Sequence, residues 1–225
     1  YGAILNPGCR FFDKRIGQST TLTGRQIVKH MSAEVNKVAT GEYDHVGETV
    51  IYGDTDSVYF SAYPVLKKDI DAGNIPWSKE NVITLYNQIA EQANSTFPDF
   101  MQKAFHCPNS RSDVIAAGRE IVAESGLYIT KKRYAALVID DEGNRKDIDG
   151  KSGKVKAMGL DLRRADTPPY MQEFLMRILT RVLESAPQQE ILDMIIQFRK
   201  DFESRPAWEK GTPKRVNNLN KFRTL

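Results

Sequence analysis

Cysteine is scarce in this chain of 225 residues: Cys9 and Cys107 lie far apart and fit no metal-ligand spacing. That excludes a disulfide framework and a cysteine-built zinc site, and it reads as two free thiols in a reducing compartment. Long apolar runs are missing as well. None approaches the ~20 residues that a membrane-spanning helix needs, and no secretory signal pattern opens the sequence. Internal repeats and low-complexity tracts are absent. Charge of one sign is barely in excess, with 32 Lys and Arg against 29 Asp and Glu for a net charge of +3. Such a balance permits nucleic-acid binding without arguing for it, because the distribution of charge matters more than its sum. What is present is an ordinary globular mixture, 40% hydrophobic and 27% charged, with enough apolar material for a core and one or two domains. The chain opens on Tyr1 rather than Met, in a segment that already reads as structured, so a piece of a longer protein is expected.

Periodicity gives a coarse map. Apolar residues at Ile16, Leu22, Ile27, Met31 and Val35 predict a long helix from Asp13 to about Thr40, with Gly41 as its stop. Residues 48–61 predict two strands around a polar turn. Pro64 to Pro76 reads as loop with room for a short helix. Ser78 is placed to cap a helix from Lys79 to about Asn94, and a second helical stretch is expected near Pro98–Phe105. Strands follow over Glu120–Thr130 and Arg133–Asp140, a turn at 141–144, and a further strand around Val155–Leu162. After Asp166 the character changes. Thr167-Pro168-Pro169 reads as a helix start, and Tyr170–Leu183 and Gln188–Phe202 as amphipathic helices. From Arg205 onward the chain is basic and polar with no period. The class expected is α+β: a mixed, mainly antiparallel sheet flanked by helices, then a helical portion.

The most informative stretch is Tyr52-Gly53-Asp54-Thr55-Asp56-Ser57. It sets two carboxylates two residues apart at the tip of an apolar hairpin. Hard cations such as Mg²⁺ prefer carboxylate and water oxygens and are often held by one or two protein carboxylates plus substrate phosphates. A pair of such ions can activate a hydroxyl and stabilise a leaving pyrophosphate. A bare Asp-x-Asp is usually a solvated turn; the six-residue string after an apolar strand is far more specific.

That string resembles motif C of the palm domain in family B DNA polymerases. Tyr1-Gly2 resembles the close of that family's fingers motif, Lys131-Lys132-Arg133-Tyr134 its Lys-Lys-Arg-Tyr segment, and Gly159-Leu160-Asp161-Leu162-Arg163-Arg164-Ala165-Asp166 the segment that ends the palm. The order is the family's, and the spacing resembles that of T-even-type bacteriophage replicative polymerases. The resemblance covers nearly the whole chain and is weaker after about residue 185. It implies a palm domain over residues 1–165 and the beginning of a helical thumb over 166–225. It implies nucleotide binding and nucleotidyl transfer in DNA replication, in the cytoplasm of an infected bacterial host.

Residue by residue, the resemblance makes Asp56 the ligand of two Mg²⁺ ions and sets Asp54 beside them, both as catalytic residues. It places Glu120 near the metals, although a Glu at a strand edge is usually just solvated. Lys131, Lys132, Arg133 and Tyr134 become DNA-binding, with Lys132 in the minor groove at the primer terminus and Tyr134 against the duplex. Minor-groove acceptors are nearly independent of sequence, so a donor there tests base-pair geometry. Taken alone, three consecutive cations on a strand cannot all face one way, and Lys also suits a solvated edge that blocks aggregation. Tyr1, Gly2 and Thr55 are expected around the nascent base pair. Arg10-Phe11-Phe12-Asp13 and Thr23-Gly24-Arg25 also match the family, and their aromatics are expected in the core.

Measured against a whole polymerase of that family, the sequence lacks the upstream motif A carboxylate, the fingers helix that binds the triphosphate, and an exonuclease domain. The partners implied are primer–template DNA, deoxynucleoside triphosphates, the missing upstream polymerase part, and a sliding clamp reached through an absent C-terminus. Two other classes compete: a noncatalytic DNA-binding or assembly subunit of a split polymerase, and an unrelated Mg²⁺-dependent nuclease. Intact Asp54 and Asp56 argue against the first. The second needs more carboxylates at the turn than Glu120 offers.

Overall fold

The computed structural model describes residues 2–212. Tyr1, and the basic stretch beyond residue 212, lie outside the described residues. The class is α+β, as expected. The strands, read as one sheet from sequence, fall into two among the described residues: a two-stranded hairpin and a four-stranded sheet, with every pairing antiparallel. Two compact units divide the chain, Tyr1–Glu120 and Ile121–Leu225. The boundary expected from the change in helix content lay at 165/166. Contacts group the chain differently because a helix after that point packs on the sheet before it.

In the first unit, helix α1 (Lys14–Thr40) begins where expected. The carboxylate of Asp13 accepts from the Arg15 N–H at 2.8 Å, and Gly41 ends the helix in a left-handed conformation with φ 85°. Apart from Gly17, burial on α1 falls in its second half, through Ala33, Val35 and the polar residues His30 and Asn36. Ile16 and Leu22, counted on the apolar stripe, are exposed. So is Phe11, at 73%, whose ring lies under the Arg10 guanidinium instead of in a core. This corrects the expected burial of that aromatic pair; Phe12 is half-buried.

Helix α2 (Tyr63–Asp71) is the short helix anticipated after Pro64. Helix α3 (Lys79–Phe105) opens at Ser78, whose hydroxyl accepts from the Asn81 N–H at 3.2 Å. It runs unbroken through Pro98, joining two stretches that the sequence reads as separate. A proline inside a helix removes one donor and crowds the preceding turn. Here Phe97 and Met101, on either side of it, are buried with Ile89 and Ala93, and that burial holds the turn in place. Ser95 and Thr96 fold their hydroxyls back onto the Gln92 and Ala93 carbonyls, both at 2.7 Å.

His30 locks α1 to α3. Its ring stacks on Phe100 with centroids 4.0 Å apart, Nε2 meets the Thr96 hydroxyl at 2.9 Å, and Nδ1 meets the Tyr43 hydroxyl at 2.7 Å. The Thr96 proton is already committed to the Ala93 carbonyl, so Nε2–H donates and Nδ1 accepts from Tyr43. Neutral imidazole satisfies both partners.

In the second unit, β3 (Ile121–Thr130) pairs with β4 (Arg133–Asp141). The opposite edge of β4 pairs with β5 (Asn144–Arg145) and β6 (Lys154–Met158). Flanked on both edges, β4 is buried continuously from Tyr134 to Asp140. Ala135 and Leu137 point to one face and meet Leu179 and Leu183 of helix α4 (Pro169–Leu183), with Leu162 completing the cluster. Each leucine of the cluster contributes ~1.5–3 kcal/mol when fully buried. Helix α5 (Gln188–Ser204) returns along α4, with Phe174 and Phe198 stacked 3.7 Å apart.

Two outcomes test this packing. Burial lowers the pKa of His30, against smaller opposing effects of nearby Glu34 and Asp99 and a smaller reinforcing one of Lys37. The unfolded chain therefore takes up the proton first. The stability His30 contributes is complete above its unfolded value near ~6.5 and is lost as pH falls below it. Unfolding midpoints taken from pH 7 to pH 5 should fall more steeply for the wild type than for His30→Gln, which keeps a donor and an acceptor but does not titrate; parallel slopes would contradict this. The second outcome concerns Asn36, which is 2% exposed and bonded to the Thr49 hydroxyl at 2.7 Å. Asn36→Ala should cost about 1–3 kcal/mol in urea unfolding, because it strips the buried Thr49 hydroxyl of its acceptor.

Candidate metal turn and nucleic-acid interface

Strands β1 (Val50–Asp54) and β2 (Ser57–Phe60) form the expected antiparallel hairpin, with Asp54 opposite Ser57. Asn36 sets its place. The side-chain carbonyl of Asn36 accepts from the Thr49 hydroxyl at 2.7 Å, and its amide donates to the Glu42 carbonyl at 3.2 Å. A Cβ at Gly47 would fall 1.9 Å from the Asn36 amide, so only glycine lets the chain pass that close. The Thr49 carbonyl then accepts from the Ser61 N–H at 2.8 Å, closing the base of the hairpin. Neither Asn36 nor Thr49 stands out in the sequence. The available signal is an Asn beside Val35 on the buried half of a helix, and a Thr at a strand start.

Thr55 and Asp56 make the two-residue loop. Thr55 has φ 52°, a left-handed conformation that costs a β-branched residue more than most. Its hydroxyl donates to Asp54 Oδ1 at 3.1 Å, and the Ser57 hydroxyl donates to the Asp54 carbonyl at 3.1 Å. Asp54 is half-buried and Asp56 exposed. The turn thus offers one carboxylate bonded by the Thr55 hydroxyl and one exposed to solvent. This donor set is of the kind a hard divalent cation takes, with its remaining positions left to water or phosphate oxygens.

Glu120 does not join them. Among the described residues, no three His, Cys, Asp or Glu side chains are grouped to hold a metal ion. The segment before Glu120 is fastened to α3 instead: Asn94 donates to the Ala117 carbonyl at 2.5 Å and accepts from its N–H at 2.6 Å, and Arg119 Nε donates to Asn87 at 2.6 Å. Glu120 itself is exposed. Gly2 begins a short 3₁₀ turn, Gly2–Leu5, and is exposed; Leu5 of that turn fits against Gly17 of α1. Tyr1, expected with Gly2 and Thr55 near the nascent base pair, lies outside the described residues.

The basic segment is also a hairpin tip. Thr130 pairs with Arg133, so Lys131 and Lys132 form the two-residue loop between β3 and β4 and do not alternate along a strand. All three cations are exposed, and Lys132 is left-handed with φ 61°. Tyr134, expected against duplex DNA, is 3% exposed. It stacks on Tyr128 with centroids 5.6 Å apart, because it begins the buried run of β4. Burial pushes the Tyr128 phenol up to about 12. The segment Gly159–Asp166 meets the same tip: Arg133 Nε donates to the Gly159 carbonyl at 3.2 Å, and Arg164 pairs with Asp166 at 2.7 Å.

Known proteins bear on these two turns. The DNA polymerase family B profile matches residues 1–73 and 115–211. The DNA-directed DNA polymerase of Escherichia phage RB69 is 28% identical over 195 residues, covering 82% of this chain and 21% of that protein. That of Enterobacteria phage T4 is 25% identical over 238 residues, covering 99% of this chain and 25% of its own. DNA polymerase II of Escherichia coli K12 is 27% identical over 206 residues, with 84% and 21% covered. The chain therefore spans about a fifth to a quarter of the length of these relatives. Since the matched residues include the hairpin of Asp54 and Asp56, the basic tip and the glycine segment behind it, the chain belongs to DNA polymerase family B.

Proposed function

We propose that this chain is part of a DNA-directed DNA polymerase, comprising the C-terminal palm over residues 1–165 and the start of the thumb over 166–225. The observation that carries the proposal is the hairpin tip with Asp54 and Asp56 in a chain of this family. The reaction is template-directed nucleotidyl transfer. The primer 3′-oxygen loses its proton and bonds to the α-phosphorus of a deoxynucleoside triphosphate, and the bond to pyrophosphate breaks. Two Mg²⁺ ions would be held by Asp56 and Asp54, with Glu120 near them once the rest of the protein is in place. Bound there, they would ease loss of the hydroxyl proton and offset the charge of the pyrophosphate.

The chain's own residues supply placement. The Thr55 hydroxyl holds the Asp54 carboxylate and the Ser57 hydroxyl its main-chain carbonyl, while Asp56 stays exposed. The basic tip of Lys131, Lys132 and Arg133 would sit against the primer–template duplex. Tyr134 would support that tip from below, and Tyr1, Gly2 and Thr55 would border the nascent base pair. An upstream part with motif A, fingers and exonuclease, a sliding clamp, and host cytoplasm as the place of action complete the proposal. No helix among the described residues is long and apolar enough to cross a membrane.

Primer extension tests the catalytic half. The purified chain alone should incorporate no nucleotide, since a carboxylate and the triphosphate-binding residues belong to the upstream part. Mixing it with that part should restore extension, and Asp56→Ala should abolish it again. Restoration by the Asp56→Ala chain would remove the metal role, whereas extension by the isolated wild type would show that the upstream part is dispensable. Duplex binding tests the other half. The chain should bind primer–template weakly and without sequence preference. Losing a phosphate contact of the tip, as in Lys131→Ala, should lower the dependence of log K on log[salt] by about 1. Salt-independent binding would refute the contact.

A further inference from the structure

The tip formed by Lys131 and Lys132 lacks the residues that ordinarily shape a two-residue hairpin loop. Asn-Gly and Asp-Gly are favoured there because the loop demands positive φ. Lys132 takes φ 61° with neither a glycine's freedom nor the local hydrogen bonding of an Asn. A strained residue of this kind persists only where its surroundings over-determine it. The surroundings are specific. Gly159, one residue past β6 and itself at φ 65°, runs against the tip so closely that a Cβ on it would lie 2.0 Å from the Lys132 carbonyl oxygen and 3.1 Å from Arg133 Cγ. From the other side, Arg133 Nε donates to the Gly159 carbonyl at 3.2 Å. The ladder pair Tyr134 and Met158 lies directly beside this contact.

We infer that Arg133 and Gly159 form a strut that sets the conformation of Lys132, and that Arg133 is a positioning residue and not itself a phosphate contact. The inference rests on the reading of the basic tip as a DNA-binding element and deepens it by dividing the labour among its three cations. Lys131 and Lys132 meet DNA. Arg133 turns its guanidinium back onto its own backbone, where its stem also covers the glycine. A lysine could not replace it well, because the bond uses the fixed Nε–H of the guanidinium plane. Gly159 is required twice over, for its backbone conformation and for the absence of a side chain facing a backbone carbonyl.

The test is fluorescence anisotropy of the full chain with a primer–template duplex across a salt series. Arg133→Gln keeps a neutral N–H donor and loses the charge, so its salt slope should equal that of the wild type. A phosphate contact at Arg133 would instead lower the slope by about 1, which overturns the strut. Arg133→Ala should weaken binding several-fold in the wild type and add nothing in a Lys132→Ala background. Multiplying effects in the double variant would also overturn the strut, while leaving the DNA reading in place. If Lys132→Ala binds like the wild type, the DNA reading fails and the inference falls with it. Gly159→Ala should match Lys132→Ala in both affinity and slope, with folding checked by thermal unfolding. Should that variant not fold, the Arg133 and Lys132 pair decides alone.

Discussion

The buried amide of Asn36 is the constraint on which the first unit depends. A side chain capable of several hydrogen bonds sits 2% exposed on α1, and its satisfaction dictates where the chain may go next. Its carbonyl takes the Thr49 hydroxyl and its amide takes the Glu42 carbonyl, so both the loop after the helix and the start of β1 are fixed from one point. Gly47 has no side chain because that amide occupies the space. The hairpin that begins there, with the carboxylate pair at its far end, is held at its base by this anchor. A polar group in a core is costly if any partner is missing, and here that cost makes the geometry unique.

The two functional turns share a design. Each closes an antiparallel hairpin with a two-residue loop, and each puts a non-glycine residue in a left-handed conformation: Thr55 at φ 52° and Lys132 at φ 61°. In both, the left-handed residue is one to which the proposed function gives a role. Support comes from different sources. Thr55 is braced locally, through its hydroxyl on Asp54, whereas Lys132 is braced by a segment 27 positions later in the chain, at Gly159. A local brace accompanies a motif that can be read as six consecutive letters. A distant brace scatters its motif over two segments.

This difference explains what was legible in the sequence. Helix α1 with its Gly41 stop, the β1–β2 hairpin and the strands β3 and β4 were apparent, because stops, turns and alternation are local signals. The acidic turn was apparent for the same reason. The fusion of two predicted helices into α3 was not, since burial of Phe97 and Met101 outweighs the proline between them. The exposure of Phe11 was not, since periodicity marks an apolar residue without saying what covers it. Glu120 illustrates the limit at the site. Its neighbours are tied to α3 by Asn87 and Asn94, contacts between residues 23 and 32 positions apart that no short motif encodes. Tyr134 sits beside three cations in sequence, yet belongs to the buried run of β4.

The two sheets also differ in how they can open. Strand β4 is covered on both edges and on the face that meets α4, so its backbone amides exchange hydrogen with solvent only when the second unit as a whole comes apart. The hairpin of β1 and β2 has no third strand among the described residues and keeps two bare edges. Its amides can exchange through fraying that leaves α1 and α3 folded. The carboxylates thus sit on an element that is less enclosed by neighbouring strands than β4. The turn can yield while the anchor at Asn36 holds its base.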